Sequence, residues 1–167
     1  MPIMFNALLR EAGFPLCDVR LVRHQDPSAD KGLTPYELWR DNQPQFENYQ
    51  STQSIENRKP LTAPYWAVFV GTPKGKTLFV GIYGVQYRGL LEQDTPMPQR
   101  EGGVDKAGTH DGYELVRKTA CEDLIGKLFI DWGEGRGKGH KGERAFVQYA
   151  DRHDKPITEL RTEFADE

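Results

Sequence analysis

The chain has 167 residues, 37% of them hydrophobic and 28% charged, with a net charge of −3. That length reads as one domain over 1–167, able to bury about 68–70% of the surface its unfolded form exposes without disulfide or metal staples. A pI near 5.8 argues against a global basic field, and a mean hydropathy of −0.69, with no apolar run near the roughly 20 residues of a bilayer span, argues against a membrane helix.

Residues 3–12 place Met4, Phe5, Leu8 and Leu9 on one helical face, and Gly13 follows as a left-handed terminator, which predicts a short amphipathic helix. Residues 17–22 alternate Cys17, Val19 and Leu21 with Asp18 and Arg20, a strand pattern that ends in the polar group Arg23-His24-Gln25-Asp26. Thr34-Pro35-Tyr36-Glu37 reads as an N-cap with proline at the first helical position and a capping-box glutamate, opening a helix over 36–40. A second helix is expected over 45–53. Residues 65–70 and 77–87, rich in aromatic and β-branched side chains, flank a Gly71-Thr72-Pro73-Lys74-Gly75 turn and form the clearest hairpin. Residues 92–112, with Pro96, Pro98 and several glycines, read as a long surface loop. Thr119 to Glu122 reads as a second capping box, and 127–132 and 144–150 as strands. The order of elements predicts an α+β fold, with N-terminal helices packed on a curled antiparallel sheet or a small β-barrel.

The glycine-rich stretch 133–142 is one residue short of a Walker A loop, and Gly139 stands where the magnesium-binding hydroxyl belongs. Nucleotide hydrolysis is therefore not expected there. The stretch is instead a cationic turn in which Arg136, Lys138 and Lys141 suit phosphate contacts, joined by Arg23 and His24 at the earlier strand end. His24, His110, His140 and His153 show no metal-ligand spacing, and no G-x-S-x-G nucleophile is present, so no metal, cofactor or catalytic residue is assigned. Gly81-Ile82-Tyr83 spells half of a GIY-YIG motif with no second half nearby, and reads as strand interior.

Rings and amides supply the other candidate surface. On a helix over 45–53, Tyr49 and Gln53 share a face at i, i+4 and Gln50 neighbours Gln53 at i, i+3. Two amides beside a ring suit a base edge, with Trp39, Tyr65 and Trp66 as further base-binding rings and Trp132 as another candidate.

The strings Val22 to Asp26, Thr34 to Arg40, Phe46 to Gln53, Ala63 to Gly71 and Leu78 to Tyr83, together with Leu124 to Gly133 and Asp151 to Ile157, resemble the N-terminal region of bacterial GIY-YIG nuclease family proteins. The likeness covers nearly the whole chain. It implies a recognition or accessory domain, since the catalytic motif is not among the matched residues. By analogy with modular nucleases, a PUA-like barrel receiving a modified base is expected, with DNA, a GIY-YIG nuclease domain or a separate effector as partners. Two widely spaced cysteines and no signal peptide read as cytoplasmic. The competing expectations are an enzyme on a small polar substrate, with His24 as acid-base, and a protein-interaction module using the loop near Pro96 and Pro98.

Overall fold

The computed structural model describes residues 3–24, 34–54, 63–90, 95–96, 104–105, 110–133 and 148–163. The chain forms two compact units, the first made of Met1–His24, Ala63–Gly84 and Arg117–Glu167, the second of Gln25–Thr62 and Val85–Val116.

The first unit opens with helix α1 (Phe5–Glu11), whose Phe5 and Leu9 are fully buried and whose exit is turned by Gly13 at φ +89°. A 3-10 turn (Leu16–Asp18) precedes strand β1 (Val19–His24), so Cys17 belongs to the turn and the strand starts later than the alternation suggests. Strand β3 (Tyr65–Gly71) is buried from Trp66 onward, as expected of a strand covered on both faces. It pairs antiparallel with β4 (Thr77–Leu90) through the expected hairpin, closed by Thr72 N–H to the Lys76 carbonyl at 2.8 Å. Strands β8 (Leu128–Ile130), β9 (Gln148–Tyr149) and β10 (Ile157–Leu160) complete the order β10-β8-β4-β3-β1-β9.

The fold is α+β with a curled sheet, and one pairing corrects the antiparallel expectation. Strand β1 runs parallel to β3, with Val19 opposite Tyr65 and His24 opposite Val70, so the sheet is mixed. Its two neighbours, β3 and β9, both come from far along the chain, a pairing that no local pattern announces. Curl has a local cause at the β3–β4 ladder. Val68 pairs with Gly81 but Phe69 pairs with Phe79, leaving Val80 as the extra residue of a bulge. Gly81 holds φ +138°, and a Cβ there would stand 3.4 Å from the Tyr83 ring and 3.5 Å from the Arg117 side chain. A residue with a side chain would be strained at that φ.

Beneath this sheet the Phe5, Phe69 and Phe79 rings meet at centroid distances of 5.2, 5.5 and 5.7 Å. Trp132 joins the same cluster through Phe69 at 5.9 Å. The Phe5–Phe69 pair is edge to face and the others are tilted; such ring pairs are worth about 0.5–1.5 kcal/mol each beyond their area burial, and this cluster holds α1 to the sheet.

The second unit contains helices α2 (Pro35–Asp41) and α3 (Gln43–Gln50) and strand β2 (Thr52–Ser54). The Thr34 box is complete in both directions: Thr34 Oγ1 accepts from Glu37 N–H at 3.1 Å, and Glu37 Oε1 accepts from Thr34 N–H at 3.0 Å. Helix α3 ends at Gln50, with Ser51 N–H closing its last bond to the Glu47 carbonyl. Gln53 therefore lies on a strand, opposite Asp111, and the shared helical face expected of Tyr49, Gln50 and Gln53 does not form. The reason is tertiary: Tyr113 N–H donates to the Ser51 carbonyl at 2.8 Å, and β7 (His110–Arg117) captures the backbone from there on. Strand β7 begins inside the expected 92–112 loop, which also carries the short pair β5 (Thr95–Pro96) and β6 (Val104–Asp105). The Thr119 to Glu122 stretch is a turn into a 3-10 segment (Glu122–Leu124) rather than a capping box, with Cys121 in the left-handed region at φ +60°.

Candidate functional site

The chain leaves β8 at Asp131 with its apolar strand residues spent and turns at once. Asp131 Oδ1 accepts from Gly133 N–H at 3.0 Å, an aspartate turn that needs the residue two positions on to bend sharply. Gly133 does so at φ +103°. Opposite this turn, the segment after β9 folds back: Arg152 and His153 N–H both donate to the Tyr149 carbonyl, at 3.1 and 3.0 Å. Residues 153–156 then run between α1 and the 131–133 turn, tied to the one by Phe5 N–H to the Lys155 carbonyl at 2.8 Å and to the other by Asp131 N–H to the Pro156 carbonyl at 2.9 Å.

These two segments and Gln148 border an open cavity of about 400 Å³ lined by Asp131, Trp132, Gln148, His153, Asp154 and Lys155 among others. Lys155 is its organising residue. Although only 7% exposed, its ammonium donates to the Trp132 carbonyl at 2.6 Å and to Gln148 Oε1 at 2.8 Å, and lies 4.3 Å from the Trp132 ring centroid. Burial of an ammonium is unfavourable unless its donors are satisfied, and here two oxygens and a ring face satisfy them. The same contacts hold the exit of β8 against the entry of β9. Asp154 is fixed too, its Oδ1 accepting from the backbone N–H groups of Asn6 and Lys155, both at 2.9 Å.

The residues expected from sequence fall in several places. Arg23 is half-buried on β1, its Nε donating to Thr77 Oγ1 at 3.0 Å, and His24 beside it is 6% exposed. Trp66 is fully buried, with the Arg20 guanidinium 5.7 Å from its ring centroid, so its ring serves the core. Tyr65 is half-buried against Phe14 at 5.0 Å. In the second unit Trp39 packs near Tyr36 at 6.3 Å and is 6% exposed, while Gln50 is fully buried. As placed, Trp39, Gln50 and Trp66 do not offer their side chains to solvent. Tyr49 and Gln53 have their backbones on α3 and β2, but their side chains fall outside the described residues, as do Arg136, Lys138 and Lys141 entirely.

Of the rings considered, Trp132 lines the cavity. Asp131, Gln148, Asp154 and Lys155 are site residues that the sequence reading misses. A usable signal exists for the first: an aspartate two residues before glycine, directly after an apolar strand, is an aspartate-turn pattern. Gln148 and Lys155 carry no such local mark, because a buried lysine is recognisable only through the oxygens that meet it. Among the described residues no group of three or more His, Cys, Asp or Glu side chains is placed to hold a metal ion, and no helix is long and apolar enough to cross a membrane.

Comparison of the chain with protein-family models, with curated proteins and with solved structures finds no match.

Proposed function

We propose that this chain is a nucleic-acid recognition domain in which the Trp132–Lys155 cavity receives a single base. The observation that carries the reading is the position of that cavity in the chain. Two of its wall residues, Gly133 and Gln148, are the immediate sequence neighbours of residues 134–147, where Arg136, Lys138, Lys141 and Arg144 stand against only Glu134 and Glu143. A concave, mixed polar and aromatic pocket therefore adjoins in sequence the most cation-rich stretch. A volume of about 400 Å³ lies within the usual range for small-ligand sites. Cations hold the phosphates of a strand and a pocket reads a base, which is the division of labour in base-extruding proteins.

The finer parts of the proposal follow from the resemblance to the N-terminal region of GIY-YIG nuclease family proteins. They are a PUA-like sheet, a modified DNA base as ligand, a cytoplasmic setting, and service as the specificity module of a restriction or defence-type nuclease, working with a GIY-YIG domain or a separate effector. The curled sheet with α1 packed on it is compatible with that architecture.

Fluorescence anisotropy tests this with duplex and single-stranded DNA, unmodified and base-modified, at two salt concentrations. Selective binding that survives the higher salt is expected, and Arg136→Ala with Lys138→Ala should make the logarithmic salt slope shallower by about 0.9 for each duplex phosphate no longer neutralised. Absence of binding to every probe at low salt would overturn the proposal.

A further inference from the structure

We infer that Gln148 and Asp154 form a two-point reader of a planar heterocycle, Gln148 donating and Asp154 accepting, and that Lys155 sets the orientation of the Gln148 amide. This deepens the base-pocket reading above and rests on it.

An ammonium has three donors and no acceptor, so whatever amide atom faces it must be oxygen. Lys155 Nζ stands 2.8 Å from Gln148 Oε1, which fixes the otherwise ambiguous amide with its amino group turned away from the lysine. Gln148 is 6% exposed, yet its Nε2 makes no hydrogen bond among the described residues and is not among the polar atoms sealed from solvent. Gln148 lines the cavity, so its unused donor belongs to a residue of the cavity wall. Water can reach that donor, and a ligand lone pair can take the water's place.

Asp154 supplies the complement. Both of its hydrogen bonds among the described residues use Oδ1, so Oδ2 remains as an anionic acceptor on the same cavity. The matching ligand carries a lone-pair acceptor for Gln148 and an N–H donor for Asp154. The Watson–Crick edges of adenine and cytosine, each a ring nitrogen beside an exocyclic amine, have that chemistry once the base is extruded. Trp132 is not the stacking platform for this ligand on the face that Lys155 covers; its carbonyl and ring anchor the lysine instead.

Gln148→Glu tests the arrangement with little change of shape, since the carboxylate keeps an oxygen for Lys155 but replaces the amino donor by an acceptor. The probes are labelled DNA duplexes of one sequence, mispaired at a single position carrying adenine, its 1-deaza analogue, or purine, and in a second series cytosine, its 3-deaza analogue, or 2-pyrimidinone. With the wild-type chain, removing the ring acceptor should weaken binding about tenfold in one of the series, as should removing the exocyclic amine. In Gln148→Glu the acceptor deletion should cost nothing further, while the amine deletion should still cost about tenfold. Lys155→Met, which frees the amide to turn over, should reduce the acceptor discrimination and leave the amine discrimination in place, without abolishing binding. A wild-type chain that binds no duplex overturns the recognition reading and this inference with it. A chain that binds duplex but treats all the analogues alike overturns the two-point reader and leaves the recognition reading standing.

Discussion

Asp154 caps the N-terminus of α1 from across the chain: its Oδ1 accepts from the backbone N–H of Asn6 at 2.9 Å, between residues 148 positions apart. Met4, at the N-cap position itself, offers no side-chain bond. Asn6 adds a second stitch, its Nδ2 donating to the Ala150 carbonyl at 2.6 Å. One aspartate thus starts the first helix and shapes the cavity wall.

Asp154→Ala should therefore destabilise the chain by about 1 kcal/mol, the usual worth of an N-cap. Asp154→Asn, which retains an acceptor oxygen, should lose less. Urea unfolding with an unchanged slope and a lower midpoint for the alanine variant checks this, and equal midpoints for wild type and alanine variant would refute the remote cap.

Gly133→Ala should cost about 1–2 kcal/mol. The reason is conformational, because at φ +103° the added Cβ would meet nothing nearer than Lys155 Nζ at 3.9 Å. Gly133→Asn, a residue more tolerant of positive φ, should cost less than alanine in the same unfolding measurement.

Acid should loosen α2 through its capping box. The backbone N–H and hydroxyl of Thr34 hold the Glu37 carboxyl below its ordinary value. A group whose folded pKa is depressed contributes stability that is present above its unfolded value, near 4.3, and is lost as pH falls through the lower folded one. Unfolding midpoints measured from pH 6 down to pH 3 should show this loss in wild type, and Glu37→Gln should remove that component. Thr34→Ala should cost about 1 kcal/mol at neutral pH.

The two thiols should react at different rates. Cys17 is exposed, whereas Cys121 is half-buried, and burial together with the Asp123 and Glu11 carboxylates pushes its thiol up from its ordinary value. Since the thiolate is the nucleophile, alkylation by iodoacetamide at pH 8 should be biphasic, and Cys17→Ser should abolish the fast phase.

What is legible in the sequence is local. The Thr34 box needs only four consecutive residues, and the hairpin between residues 65 and 87 needs two apolar runs and a glycine-containing turn. Strand β7 and the conversion of Gln53 from helix to strand depend on each other, because Ser51 and Tyr113 share a backbone bond that neither neighbourhood encodes alone. The cavity is less legible again. Lys155 looks like a surface lysine until Trp132 and Gln148 are brought to it, and the rings that look free for binding, Trp66 above all, are used by the core. A ring states its own size in the sequence but not which side of the sheet will have water.

The position of β1 bears on how the chain is made as well as how it stands. Synthesis delivers Val19–His24 early, but its parallel partner begins at Tyr65 and its other edge waits for Gln148. At roughly 5–20 residues per second the ribosome exposes this strand for about 2–8 s before one side can pair and about 6–25 s before the other can. A nascent chain stalled in that interval would present a bare strand edge to chaperones, and slowing translation before Gln148 should raise the fraction that they, or aggregates, capture.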